Sequence, residues 1–381
     1  MTTAAQTQSV PDTPEARRYN RLRRYLSIAD TVLGVAVLVI LLVTGWTLAL
    51  RDVAYGGAEQ NYALALFLYV GMLAVMTKAV GLPLDLYGFR LEHRYNLSNQ
   101  KVRAWVWDEF KGWVVGLALG AGLAELMYFV MRQSPRYWWL IAWGAFVVLF
   151  VFFAQIAPVV LFPIFYKFQP LQREDLKDRL VRLSERAGTR VRGVYEWKLS
   201  AKTKKANAAL TGLGNTRRII LADTLLENYT DDEIEAVLAH ELGHHVYNHI
   251  GRSIVVQAVI SFVGFWASAR VLHYAVRTQM FQSVSDFANL PLLALVSTTM
   301  ALVLLPALNA WSRHNERQAD RYAFASIPSV VPFITSMNKL AAQNLAERQP
   351  SRIVEWLFHS HPSIARRIAA AEQWAQVQKT T

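Results

Sequence analysis

Six stretches of this chain are apolar for long enough to cross a bilayer as helix. They fall at about residues 28–50, 62–84, 112–131, 137–165, 254–276 and 290–311, each near the roughly 20 residues that span a hydrocarbon core. The fourth run is too long for a straight crossing and carries Pro158 and Pro163. Proline removes a backbone donor and crowds the preceding turn, so a kink or an exit is expected near that end. Between spans four and five the pattern changes. Residues 172–187 set Leu176, Leu180, Val181 and Leu183 on one side of an amphipathic helix. Residues 191–197 and 217–221 read as strands, and the Lys- and Gly-punctuated stretch 200–214 supplies a further strand and a turn. The expected architecture is a mainly α, polytopic membrane protein with six transmembrane helices and a cytoplasmic α+β region. Its segments are an N-terminal piece 1–27, helices one to four in 28–165 with a loop at 85–111, an α+β region 166–253, helices five and six in 254–311, and a helical tail 312–381.

Composition narrows the class. Of 381 residues, 53% are hydrophobic and 18% charged, against about 25% charged in an ordinary globular domain, which excludes a disordered chain and a typical soluble enzyme. The formal charge of +12 raises nucleic acid as a partner until the basic residues are placed. Five precede the first span (Arg17, Arg18, Arg21, Arg23 and Arg24), five lie between spans two and three, fifteen between four and five, and nine in the tail. The opposite side holds only Arg51, Arg132, Arg136 and Arg277. Such bias sets orientation. Both termini and both large polar regions are therefore expected in the cytoplasm, with anionic membrane lipid as a partner and no nucleic acid. The first 27 residues are too polar to read as a cleaved signal, so the first span is expected to remain as an anchor. With no cysteine, thiolate metal sites and thiol nucleophiles are excluded.

The chemistry sits on one helix. Thr230-Asp-Asp-Glu233 has the form of a capping box with acidic residues in the first turn, and the helix it starts runs into His240-Glu-Leu-Gly-His244. Two residues four apart on a helix lie about 40° from each other and one turn up, so their imidazoles can converge on one ion, and zinc suits the pair. Glu241 projects beside that ion and can take a proton from a bound water. A second pair, His245 and His249, has the same spacing but no following Glu, and reads as solvated or interfacial. A catalytic zinc requires a third protein ligand and an open position. Glu316, just beyond the sixth span, is the candidate, and Asp320 one turn further can accept the other N–H of a ligating histidine. Taken alone, that block reads as the charged end of a membrane helix.

The His240-Glu-Leu-Gly-His244 string followed by Glu316-x-x-Ala-Asp320 resembles the membrane zinc metallopeptidases that include the Ste24-type CAAX prenyl proteases and the shorter HtpX-type quality-control proteases. Three further stretches resemble the first branch: Phe162-Pro-Ile-Phe-Tyr-Lys-Phe-Gln-Pro-Leu171, Asn207-Ala-Ala-Leu-Thr-Gly212, and His361-Pro-Ser with Arg367. The resemblance implies a zinc endopeptidase with one Zn²⁺ per chain, held by His240, His244 and Glu316, with Glu241 as general base. It also implies that His361 and Arg367 stabilise the oxyanion and that Asn207 positions substrate. On the residues alone, His361-Pro is equally a helix boundary, Arg367 a surface arginine and Asn207 a turn residue. The implied substrate is a peptide or protein with a prenylated cysteine near its C terminus, cut after that cysteine. The relatives' seven helices enclose an intramembrane chamber, with which the ionisable residues Glu125, Asp30, Lys78, Arg270 and His273 in or beside the spans are compatible. An HtpX-like protease of damaged membrane proteins shares every catalytic residue named, and a metal transporter or sensor is the distant alternative.

Overall fold

A computed structural model describes residues 12–212 and 217–380. Six of its helices are long and apolar enough to cross a membrane, as the hydrophobic runs predict, and the chain is an integral, multi-pass membrane protein. Helix α1 (Pro14–Val43) starts well before its apolar run. Thr13 caps it by accepting the Ala16 N–H at 3.1 Å, and Pro14 occupies the first helical position, where no N–H is needed. The run at 28–50 is not one helix. At Gly45 the chain turns with φ 75°, a conformation that suits glycine, and a short helix α2 (Trp46–Gly57) follows. Helices α3 (Tyr62–Arg94) and α4 (Val102–Gln133) outrun their apolar segments at the polar end. The fourth span is α5 (Trp138–Ile156), a five-residue π turn (Ala157–Leu161) at Pro158, and α6 (Phe162–Phe165). The break expected from the prolines is therefore absorbed by widening the helix.

The cytoplasmic unit begins with β1 (Phe168–Pro170), then α7 (Glu174–Arg186), β2 (Val194–Trp197), β3 (Ala208–Thr211), β4 (Arg218–Ala222) and α8 (Asp223–Asn228). The strands form one sheet in the order β1-β2-β4-β3, parallel between β2 and β4 and antiparallel elsewhere. Strand β1 escaped the sequence reading because it has three residues and ends in proline, which fits only an edge. Residues 213 and 214 of the 200–214 stretch lie outside the described residues. Leu176, Leu180 and Leu183 of α7 pack with Val194, Ile219 and Leu221 of the sheet and with Ile234, Leu238 and Leu242 of α9 (Asp231–Val246). Each buried leucine contributes about 1.5–3 kcal/mol, so the sheet and α9 form one rigid block.

Helices α10 (His249–Arg277) and α11 (Leu290–Ser326) complete the bundle, and α12 (Val331–Gln343), α13 (Arg352–Phe358) and α14 (Ile364–Thr380) form the tail. The boundaries expected at 253/254 and 311/312 fall inside α10 and α11. Both helices run unbroken from membrane to cytoplasmic unit and carry site residues on their polar ends. Between α4, α5, α10 and α11 lies an apolar cavity of about 460 Å³, lined by Phe146, Phe265, Met300 and Leu304 among others. Of the ionisable residues in or beside the spans, Lys78 pairs with Asp85 and Glu109 at 2.6 and 2.5 Å. Asp30 lines a polar concavity of about 340 Å³ with Arg23, Asp85 and Glu109.

Candidate metal centre

Helix α9 is set by both of its ends. Thr230 Oγ1 accepts from Glu233 N–H while Glu233 accepts from Thr230 N–H, the reciprocal box that the sequence suggested. Lys339 of α12 also donates to Glu233, at 2.7 Å. From α7, Arg179 pairs with Asp232 and Glu235. One residue then brings α9 against α11. A Cβ on Gly243 would lie 2.8 Å from Ala319 Cα and 3.0 Å from its carbonyl oxygen. Only a glycine facing a small residue allows two helix backbones this close, and the approach carries Glu316 to the histidines.

The three expected ligands meet. His240 Nε2 is 3.3 Å from His244 Nε2 and 3.2 Å from Glu316 Oε2, and His244 Nε2 is 3.3 Å from Glu316 Oε1. Among the described residues no other group of three or more His, Cys, Asp or Glu converges in this way. Tetrahedral coordination at 2.0–2.1 Å places ligand atoms about 3.3 Å apart, so the spacing matches a small divalent ion. The hydrogen bonding agrees. His240 Nδ1 donates to Asp320 Oδ1 at 2.8 Å, which leaves Nε2 as a bare lone pair facing the cluster. Glu316 Oε2 is buried and accepts no well-angled hydrogen bond, although nitrogens of His240 and His361 stand 3.2 and 2.8 Å away. Lone pairs gathered in a buried space repel unless a cation lies among them. The His240 imidazole reports the same field. Burial and the charge of Arg367 oppose a positive charge on it, but Asp320 and Glu316 outweigh them and push its pKa up to about 9, so the carboxylates draw a cation to Nε2, a proton where no metal takes that position.

Arg367 sits elsewhere than an oxyanion donor would. Its guanidinium forks onto Asp320, with Nε 2.9 Å from Oδ2 and Nη2 2.6 Å from Oδ1, and its side chain is buried. Its Nε and Nη2 donors are engaged by the carboxylate that orients His240. His361 keeps 62% of its side chain exposed while Nδ1 touches Glu316. Its loop is held by two residues that the sequence reading did not single out. Arg313 donates to the carbonyls of Glu355 and His359 at 3.0 and 2.6 Å, and Asn309 to that of Leu357 at 2.7 Å. A buried arginine and asparagine one turn apart at the end of a span were the available signal. Glu241 is half-buried, with no hydrogen bond or ion pair among the described residues, a carboxylate whose lone pairs remain open beside the ligands.

Asn207 is exposed just before β3, and its carbonyl accepts from Ala222 N–H at 3.0 Å. The edge of β3 away from β4 turns towards α9, since His245 Nε2 reaches the Leu210 carbonyl at 3.4 Å. His249 is not solvated. Its ring is buried against His244 and Gln318, because α9 ends before it and the two histidines of that pair do not share a helix.

Two histidines and a buried glutamate that could hold a metal, brought together where helices cross in a multi-pass membrane protein, are the donor set of a membrane metallopeptidase. Comparison with known proteins gives the family. The model for peptidase family M48 matches residues 170–375, and that for the CAAX prenyl protease N-terminal region, five membrane helices, matches residues 5–167. The chain belongs to peptidase family M48, in its Ste24-type branch, and is a metalloendopeptidase. Among the described residues of that second match, 12–167, it has four candidate spans and the short α2, where that description counts five helices. The chain is 29% identical to the Bacillus subtilis protein named uncharacterized metalloprotease YhfN, covering 94% of this chain and 85% of the relative. It is 27% identical to Saccharomyces cerevisiae CAAX prenyl protease 1, covering 82% and 73%. Its fold is shared with the crystal structure of S. mikatae Ste24p, at a TM-score of 0.85 and 23% identity over 96% of this chain and 92% of that one.

Proposed function

We propose that the chain holds one Zn²⁺ through His240, His244 and Glu316 and hydrolyses the peptide bond after a prenylated cysteine near a substrate's C terminus, on the cytoplasmic face of its membrane. The observation that carries the reading is the convergence of three side chains, with the His240 and His244 Nε2 atoms 3.3 Å apart and each 3.2–3.3 Å from one oxygen of the Glu316 carboxylate, whose buried Oε2 has no hydrogen bond. Zinc bound there supplies a water of lowered pKa and polarises the scissile carbonyl. Glu241 would take a proton from the attacking water as the water oxygen bonds to the carbonyl carbon, and would return it to the amine nitrogen as the C–N bond breaks. His361, exposed beside Glu316, donates to the carbonyl oxygen as it gains charge. Asp320 holds the His240 ring and Arg367 holds Asp320, which makes Arg367 a positioning residue. The edge of β3 away from β4, with Asn207 at its start and the Leu210 carbonyl against His245, aligns an extended substrate by backbone pairing.

The prenyl specificity is supported by the names of the relatives and by the apolar cavity of about 460 Å³ inside the bundle, within the roughly 300–1,000 Å³ of small-molecule pockets. The basic residues gathered at the ends of the spans support the cytoplasmic orientation. The test uses purified full-length protein in detergent with a peptide ending in Cys and three further residues, farnesylated or not. Cleavage after the cysteine only when the lipid is present, abolished by chelation and restored by Zn²⁺, is expected. Equal cleavage without the lipid would replace this reading with an HtpX-like quality-control protease. Purified chain that takes up no zinc would end the metallopeptidase site as drawn.

A further inference from the structure

The two histidine ligands are backed differently. His240 leans on a carboxylate, Asp320. His244 leans on a second histidine, for which the chain makes a local arrangement. Helix α9 stops at Val246, Asn248 turns with φ 51°, and α10 restarts at His249. A Cβ on Gly251 would fall 2.6 Å from Asn248 Oδ1, so a glycine there leaves room for the turn. The turn folds the His249 ring back under His244. His249 Nδ1 lies 3.0 Å from His244 Nδ1, its Nε2 lies 2.9 Å from Gln318 Oε1 of α11, and Tyr247 stacks on the ring at 5.8 Å with 21° between planes. The residue is 4% exposed.

The proton pattern follows from the chain of contacts. His244 presents Nε2 to the cluster, so its Nδ1 carries the hydrogen and donates to His249 Nδ1. That nitrogen must then be a lone pair, which puts the remaining hydrogen on His249 Nε2, facing an amide oxygen. Every donor in the series meets an acceptor, and the rings need no rotation to admit a metal. We propose that His249 is a positioning residue of the metal centre, holding the His244 ring and tautomer through a neutral relay anchored on Gln318, the helix that also carries Glu316. The inference rests on the metal site proposed above. Partners of this kind typically govern 10–100-fold in metal affinity.

The experiment is Zn²⁺ competition against a chromophoric chelator on the purified full-length protein, with the absorption spectrum of the Co²⁺-substituted protein as a second readout. His249→Ala is expected to bind Zn²⁺ about 10–100-fold more weakly and to change the Co²⁺ band shape. His249→Gln, whose amide oxygen can accept from His244, recovers most of the affinity. Gln318→Ala, which leaves the buried ring in place, loses affinity in the same direction and serves if His249→Ala fails to fold. Unchanged Zn²⁺ affinity and Co²⁺ spectrum in folded His249→Ala or Gln318→Ala would overturn the relay. A wild-type chain that binds no Zn²⁺, or a His240→Ala chain that binds it as well as wild type, would overturn the metal site itself.

Discussion

The turn before α11 and the metal centre lie at opposite ends of α10, and each gathers polar side chains out of water. At the turn, Asp286 accepts from Arg51 at 2.7 Å and from the Gln282 and Ala288 N–H groups at 3.1 Å each. Asn289 accepts from Tyr128 at 2.6 Å and donates to the Val284 carbonyl, while Thr47 ties Tyr69 to the Ala288 carbonyl. Each of these side chains finds its complement in the protein. In the metal centre the acceptors outnumber the donors, and Glu316 Oε2 and two bare imidazole nitrogens point at one another. A complete network locks helices together, whereas an incomplete one, rigidly held, is a binding site. The rigidity comes from outside the cluster: Gly243 against Ala319, Arg367 on Asp320, and Arg313 across α13.

That contrast can be broken from either side. The largest effect is expected of Glu241→Gln, which should lower turnover about 10²–10⁴-fold with Zn²⁺ stoichiometry and thermal midpoint unchanged. A variant with normal turnover sinks the assignment. Next comes Asp286→Ala, which strands Arg51 beside Asp52 alone. It should cost about 3 kcal/mol of stability in denaturation of the detergent-solubilised protein without altering Zn²⁺ affinity, and a matching loss of affinity would mean that the two networks are coupled. Gly243→Ala forces α9 and α11 apart. It should cost about 1–3 kcal/mol and, unlike Asp286→Ala, weaken Zn²⁺ binding in the chelator assay.

The smallest effect concerns the start of α9. Burial raises the pKa of Glu233, but Lys339 and the Thr230 N–H prevail and hold it below its ordinary 4.5. A lowered carboxylate stabilises the fold above the unfolded value, and that contribution is lost as pH falls through the folded value. The wild type should therefore lose about 1 kcal/mol more than Glu233→Gln when stability is compared at pH 6 and below pH 4. Parallel pH profiles would show that the box contributes nothing at this position.

The spans were legible because a bilayer imposes its thickness on any helix that crosses it, and that length is written as a run of apolar residues. Misreadings came where a helix ended. The break at Gly45 and the turn at Asn248 are single-residue events, and the second separates two histidines read as a solvated or interfacial pair, setting His249 against His244 and Gln318 and His245 against the Leu210 carbonyl. An asparagine three residues before Gly251 was a visible warning. The three-residue β1 had no periodicity to show. Arg367 was found in the sequence but its partner was not, because Asp320 lies 47 residues away and nothing local records the pairing.

From the sequence alone came the six spans, the charge asymmetry across the membrane, the capped helix and the two imidazoles one turn apart, all properties set by spacing along a few turns of chain. Only the tertiary structure showed how Glu316 reaches those imidazoles, which arginine holds the orienting aspartate and which histidine lies beneath His244. The first depends on how closely α9 and α11 approach, a distance fixed by Gly243 against Ala319, more than seventy positions along the chain, and the others on contacts between separate helices that no local spacing records.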